Sequence, residues 1–444
     1  LRSYIFPDVL KKTLRLLGYE VKHVVNITDV GHLTSDADTG EDKMERAAKR
    51  EGRSAWDIAK AYEAEFRRDL ARLNIEEPQH WPHATGHIPE QIAMIRTLEA
   101  KGYAYRTGDG MYFDTARFPA YGQLARLKVE GLQEGARVAM GEKRHKTDFA
   151  LWKFSPPGEK RQMEWESDWG RGFPGWHIEC SAMSMKYLGE SFDIHTGGSD
   201  HIPVHHTNEI AQSECATGKP FVRYWLHGEH LVLPKEDDAA EGEFKRMGKS
   251  EGNLITLQTL LDSGYDPMAY RYLCLTSHYR SYLNFSEEAL KGADAALVGL
   301  RKLLLDLGAG PSVAPGAQPP PAPGTAESPT EQAVLAALCD DLNTPKALGI
   351  LWVVLRDASL SADGKRRLAA FADQVLSLGL FDFARLEADE DIPAAVRALA
   401  ERRWAARQAK NFAESDRLRD ELARQGYTVR DRADRSGYDI VRAG

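Results

Sequence analysis

The chain has 444 residues, more than the roughly 250–300 at which a single hydrophobic core stops growing, so it divides into several domains. Its 42% hydrophobic and 28% charged residues are those of a soluble globular protein, and a formal net charge of −8 excludes nucleic-acid binding through an overall basic field, leaving only a local basic face. The 4 cysteines are too scattered for a disulfide framework, no apolar run approaches the roughly 18–20 residues of a membrane span, and no signal peptide is visible, so the expected place is the reducing cytoplasm.

In chain order, Phe6, Val9, Leu10, Leu14 and Leu17 fall on one side of a helix predicted over 3–17 and stopped by Gly18. A strand predicted over 21–27 follows, so the chain opens on an αβ unit. Ligands of open α/β sheets bind beyond the carboxyl ends of strands, which places Thr28 and Asp29 for substrate contact, although both also suit an ordinary turn. Residues 54–73 read as a helix capped by Ser54, with Trp56, Ile58, Ala59, Tyr62, Phe66 and Leu70 as its core stripe. His80, His83 and His87 read as structural, because no Cys or carboxylate shares their register and Pro82 breaks a helix there. Between 108 and 153, short apolar stretches separated by Gly and charged residues predict small strands inserted into an α/β domain.

The segment 175–218, GWHIECSAMSMKYLGESFDIHTGGSDHIPVHHTNEIAQSECATG, carries the densest chemistry. It reads as a helix with Cys180, a short strand to His195, a loop with Gly197, Gly198 and Asp200, and a second helix from about 204. His205 and Glu209, four apart, share one face of that helix, while His206 stands about 100° away and is not expected as a ligand. Thiol, imidazole and carboxylate together suit zinc, since calcium and magnesium take oxygen donors. A buried free Cys beside ordinary polar residues is the plainer alternative, and the crowding of His177, His195, His201, His205 and His206 argues against it. Gly197 and Gly198 allow close backbone approach, and Asp200 before a helix start suits the ribose of a nucleotide.

Beyond this segment, Asp266-Pro267 opens a helix containing Tyr270, Tyr272, Leu273, Leu275 and Tyr279, and a further helix is predicted over 286–307. Residues 308–329 are rich in Pro, Gly and Ala and form a linker, after which helices resume at Glu331. A helix pair over 393–427 breaks near Asn411 and ends at Gly426. Its Arg402, Arg403, Arg407, Lys410, Arg417, Arg419 and Arg424 are able to reach RNA phosphates, with Trp404 or Tyr427 to stack on a base; the interleaved acids suit a solvated face equally.

GWHIECSAM, FDIHTGGSD, HHTNEIAQSE and the later RMGKSEGN, in this order, closely resemble the cysteinyl-tRNA synthetases, a family of class I aminoacyl-tRNA synthetases, and the resemblance runs along nearly the whole chain. It implies an α/β fold: a Rossmann-type parallel sheet over 1–107 and 166–234, a connective insertion at 108–165, a catalytic loop and stem at 235–285, a helical bundle over 286–390 and a tRNA-contact domain over 391–444. The implied reaction is activation of L-cysteine by ATP, followed by transfer to tRNA(Cys), with one zinc ion per chain, magnesium accompanying ATP, and a chain acting as a monomer. The resemblance places zinc on Cys180, His205 and Glu209, and the amino acid near Thr28, Trp176, His177 and His195. It places nucleotide near Gly197, Gly198, Asp200 and the loop residues Met247, Lys249 and Ser250. Arg246 and Gly248 depart from the family's KMSKS-type loop: Arg246 keeps the charge of its first Lys, and Gly248 adds backbone freedom in place of its Ser. A first strand, a further zinc-ligand Cys and a His-x-Gly-His-type signature are expected upstream of Leu1. Two other readings stand beside this one: a ligase passing cysteine to an aminosugar, and a non-catalytic tRNA- or metal-binding paralogue.

If Lys249 neutralises charge developing on the pyrophosphate leaving group, it acts on the transition state and not on bound cysteine. Lys249→Ala then slows adenylate formation by about 3–4 kcal/mol of barrier with cysteine binding nearly unchanged. Single-turnover adenylate formation beside a cysteine titration reads both quantities, and weaker cysteine binding at an unchanged rate contradicts the role.

Overall fold

The computed structural model describes residues 1–31, 43–126, 142–156, 158, 161–233, 255–309, 326–384, 386, 393–431 and 437–442. The chain divides into two compact units, one of Leu1–Leu300 with Val313–Leu380, the other of Arg301–Ser312 with Phe381–Gly444. Among the described residues no helix is long and apolar enough to cross a membrane.

The first unit opens with α1 (Arg2–Leu16), which ends as predicted, Gly18 taking φ 89. The strand predicted at 21–27 forms only isolated parallel bridges, Val24 with His80 and Ile27 with His83. That pairing gives the second histidine group a structural place, and His83 Nε2 meets Glu63 Oε2 at 2.9 Å. Helix α2 (Lys43–Glu51) precedes α3 (Ala55–Arg72), whose Ser54 cap accepts from the Asp57 amide. The stripe on α3 is narrower than the sequence suggested: Ile58 and Leu70 are buried, but Trp56 and Tyr62 lie more than a third exposed.

Helix α4 (Ile88–Ala100) leads into β1 (Ala104–Arg106), β2 (Gly110–Phe113), β3 (Phe149–Phe154) and β4 (Gly172–Pro174), an antiparallel sheet in sequence order. The strands of this sheet begin before and end after the stretch 108–165. Its strands and α4 share one core with α5 (Trp176–Leu188) and α6 (Thr207–Thr217), built on Ile95, Leu98, Phe113, Leu151, Trp152, Ile178 and Ala211. Gly175 begins α5 hard against β3, its amide donating to Leu151 O at 3.0 Å and its missing Cβ leaving room for Ala150 O.

Parallel pairing follows between β5 (Phe192–Gly198) and β6 (Val222–Gly228), with His195 opposite Trp225 and Gly197 opposite His227. Strand β7 (Leu231–Val232) pairs in parallel with β8 (Leu283–Asn284), and α7 (Leu257–Asp262) and α8 (Pro267–Leu275) lie between them in sequence. Asp266 caps α8 as predicted, but the helix stops at Leu275, before Tyr279. After α9 (Glu287–Asp306), helices α10 (Pro329–Cys339), α11 (Thr344–Arg356) and α12 (Ala362–Leu376) complete the first unit's helices.

A buried ion cluster ties α1 to this helical region. Arg271 on α8, with no exposure, donates to Asp8 Oδ2 at 2.6 Å, to Leu376 O and to Leu73 O; Lys12 reaches the same Asp8 oxygen at 2.7 Å and also Ser377 Oγ and Asn74 O. Burial alone would raise the Asp8 carboxyl, but Arg271 and Lys12 outweigh it and hold it below the ordinary value. Lys12 itself is lowered, chiefly by burial, so one anion balances two dehydrated cations.

In the second unit, α13 (Ala394–Gln408) and α14 (Phe412–Arg424) form a helix pair, followed by the antiparallel β9 (Tyr427–Asp431) and β10 (Tyr438–Arg442). Val396, Ala400, Leu422, Tyr427 and Val429 form its core. The break falls where predicted: Lys410 takes φ 57 and Asn411 caps α14.

Removing the anion strands two buried cations, so Asp8→Asn is expected to destabilise the first unit by about 3–5 kcal/mol in urea unfolding at pH 7. Because the folded Asp8 pKa is depressed, its contribution is complete above the unfolded value of about 3.9 and is lost as pH falls through the lower folded value. A mutant matching wild type at pH 7 rules out this role for the cluster.

Candidate metal and substrate site

Between β5 and α6 the backbone departs from the predicted single helix. Ser199–His201 form a 3-10 turn and Ile202–His206 a π-helical turn, and only then does α6 start. A π turn bonds i to i+5 and holds more residues per turn than an α-helix, so adjacent side chains are separated by a smaller angle. His205 and His206 are both buried, their ring centroids 5.7 Å apart.

Two sets of donors converge here. Cys180, His205 and Glu209 bring ligand atoms within 4.8 Å of one another, and so do His195, His206 and Glu209. Glu209 thus belongs to both, and its carboxylate has no exposure. Its Oε2 accepts from His195 Nε2 at 2.9 Å. Its Oε1 lies 2.7 Å from His205 Nε2 without hydrogen-bond geometry, and it has no hydrogen-bond partner among the described residues. His205 Nδ1 is 2.9 Å from His177 Nδ1; in the tautomer where His205 donates, its Nε2 turns a lone pair toward Glu209. Two acceptor atoms this close, with a thiol beside them, fit a cation better than they fit each other.

With the two facing rings protonated instead, the carboxylate stays anionic. Burial would raise the Glu209 carboxyl, but the facing His195 and His205 outweigh it and hold the group well below its ordinary value. The Cys180 thiol is pushed well up, first by burial and then by Glu209 and Glu179. Burial also lowers His206, and it lowers His227 to about 4, so these rings are neutral and keep lone pairs for bonding. A cation would reverse the balance at sulfur, since it favours thiolate over thiol.

Around the donors, Trp176 lies half-buried over His205, ring centroids 4.3 Å apart, and near His177 at 5.2 Å. His195 is stacked on Trp225 at 4.8 Å. Thr28 is exposed; its neighbour Asp29 is used up in holding Thr85, through the amide at 3.0 Å and the hydroxyl at 2.6 Å. Asn26, missed from the sequence, faces the Cys180 thiol. So was the bond from His206 Nδ1 to His227 Nε2 at 2.8 Å, which only the parallel pairing of β5 and β6 creates.

The glycine pair also makes room within the protein itself. A Cβ on Gly197 would collide with the His206 ring, so Gly197 makes room for that imidazole; a Cβ on Gly198 would strike Asp200 Oδ1. Asp200 lies 3.4 Å from His230 Nε2, which, outweighing burial, lowers its carboxyl to about 2. Met247, Lys249 and Ser250 lie outside the described residues.

In the second unit, Arg403 is buried and forks onto Asp431, and Tyr427 sits in the core, so neither is free to meet RNA. Arg407 also meets Asp431, at 2.7 Å. Of the basic groups named from the sequence, Arg402, Arg407, Lys410, Arg417, Arg419 and Arg424 lie outward, and among the described residues of this unit the exposed large aromatic is Phe412 rather than Tyr427.

Residues 1–295 match the family described as tRNA synthetases class I (C) catalytic domain, and residues 389–438 match the cysteinyl-tRNA ligase anticodon binding domain. Over 431 residues the chain is 51% identical to cysteine–tRNA ligase 1 of Burkholderia lata, covering 97% of this chain and 87% of that protein. It is 44% identical over 448 residues to the cysteine–tRNA ligase of Novosphingobium aromaticivorans, with 97% and 87% covered. In fold it is similar to Mycobacterium tuberculosis methionyl-tRNA synthetase bound by methionyl-adenylate, with a TM-score of 0.54 at 15% identity over 85% of this chain and 86% of that one.

The two donor sets make different predictions although they share Glu209. With the cation on Cys180, His205 and Glu209, metal analysis finds zinc lost from Cys180→Ser and His205→Ala, while His206→Ala keeps it, weakened by no more than about 10–100-fold. Zinc retained in the first two proteins and lost in the third moves the site to His195 and His206.

Proposed function

The chain belongs to the cysteine–tRNA ligase family, and from that premise we infer an ATP-dependent aminoacyl-tRNA ligase that activates cysteine as an adenylate and transfers it to the 3′ end of tRNA(Cys). The observation that carries the amino-acid choice is the convergence of Cys180, His205 and Glu209, with Glu209 Oε1 left without a hydrogen bond.

In this reading those three residues hold zinc, which supplies a borderline-soft Lewis-acidic position for the substrate's sulfur. Trp176 covers the pocket and excludes water, His177 fixes the tautomer of His205, and His195 orients Glu209 from the far oxygen. Thr28 is assigned to the amino-acid side. Serine matches cysteine in shape, so fit alone would separate them weakly; a site built on one specific ligand bond reaches about 10⁴–10⁵. Cys180→Ser or His205→Ala is therefore expected to narrow the cysteine-over-serine preference while ATP binding survives.

Asp200, anionic beside His230, is proposed to accept ribose hydroxyls, with Gly197 and Gly198 bringing backbone close to the nucleoside. Met247, Lys249 and Ser250 are assigned to the phosphates, and magnesium enters with ATP. Attack of the cysteine carboxylate on the α-phosphorus expels pyrophosphate, and Lys249 meets the charge that develops there. Four free cysteines support a reducing, cytoplasmic setting.

The anticodon-binding match at 389–438 favours tRNA over an aminosugar as acceptor. Arg402, Lys410, Arg417 and Arg424 are proposed to meet phosphates and Phe412, 59% exposed, to stack on an unpaired base. Phe412→Ala is expected to weaken tRNA binding by about 1–3 kcal/mol without changing pyrophosphate exchange. Equal tRNA affinity in a gel shift removes Phe412 from the contact; unchanged affinity after loss of all four basic groups removes the face.

A further inference from the structure

Helix α5 carries Cys180, and α6 with the π turn that runs into it carries Glu209 and His205, so the separation and axial register of α5 and α6 set how far Cys180 stands from His205 and Glu209. Apolar packing through Ile178, Ala182 and Ala211 holds them together but is non-directional. One turn along from the donors lies a buried polar bridge. Gln212 Nε2 donates to His177 O at 2.5 Å and to Ser181 Oγ at 2.7 Å, and Ser213 Oγ donates to Ser181 Oγ at 2.9 Å. Gln212, Ser181 and Ser213 all have no exposure.

Each end of the bridge is next to a donor. Ser181 adjoins Cys180, and His177, three residues before it, faces His205; Gln212 stands three residues after Glu209, on the same side of α6. Gln212 Oε1 has no hydrogen-bond partner among the described residues. A buried amide held by one half only costs stability that an apolar side chain of the same length would not. Its bonds run across the helix pair, and directional bonds fix a register that greasy contact leaves free to slide.

We propose that Gln212, with Ser181 and Ser213, is a positioning residue for the metal centre: it touches neither metal nor substrate, and it sets the reach between Cys180 and the His205–Glu209 pair. This rests on the assignment of zinc to those three donors. Outer groups that orient metal ligands typically contribute about 10–100-fold in affinity.

The test uses the full chain, loaded with zinc for chelator competition and with cobalt for absorption spectra. Gln212→Met keeps the length and removes the donors; Ser181→Ala removes the shared acceptor and is milder. Glu209→Gln serves as the metal-losing control. The expected result is a folded Gln212→Met protein, by circular dichroism and thermal unfolding, that binds zinc about 10–100-fold more weakly and whose thiolate-to-cobalt and ligand-field bands are displaced. Ser181→Ala is expected to move both readouts in the same direction by a smaller amount. Wild-type zinc affinity and cobalt spectrum in folded Gln212→Met, or in folded Ser181→Ala if the first variant does not fold, overturn the positioning role alone. A wild-type chain that binds neither metal even when extended by the expected upstream Cys overturns the zinc assignment and this proposal together.

Discussion

Everything in the site follows from placing one carboxylate where water cannot reach it. Glu209 has no exposure, and a lone dehydrated carboxylate would protonate before it stayed charged. Protonated His195 and His205 hold it anionic; when His205 is the neutral tautomer that donates to His177, one oxygen still accepts from His195 while the other faces a ring nitrogen's lone pair. That unfinished half, with the Cys180 thiol beside it, is a donor set that could hold a cation.

A site of this kind tolerates little looseness, and the backbone around the donors is closely fitted. Gly175 starts α5 against β3, the π turn brings two successive histidines inward, and Gly197 clears space for His206 beneath β5. Farther off, Arg271, Asp8 and Lys12 join α1, α8 and the end of α12 through charges buried from solvent. Such a cluster contributes less to net stability than to fixing one arrangement, because any slip leaves a dehydrated charge unpaired.

The second unit works by different physics. Its buried Arg403 and Tyr427 build the small domain, while Arg417, Arg419 and Arg424 are exposed cations paired with neighbouring acids at modest strength. Exchanging an exposed carboxylate for a phosphate costs such arginines little, which suits a face that binds and releases a polyanion despite the chain's net charge of −8.

Local signals in the sequence determined the first helix and its stop at Gly18, the starts of helices at Ser54 and Asp266, the break near Asn411 between the last two helices, and the nomination of Cys180, His205 and Glu209. They were legible because helix spacing and capping depend on residues within a turn of one another. The ordered motifs likewise pointed to the family that the comparisons show. What the tertiary structure alone decided depends on residues far apart in sequence. The π turn changed which way His206 points; the β5–β6 register brought His227 to it; the insertion sheet gathered strands from 104 to 174; and burial withdrew Arg403 and Tyr427 from the surface while leaving Phe412 on it. A basic or aromatic residue on an amphipathic helix reads the same whether its face turns out or in, and only packing against the rest of the chain chooses.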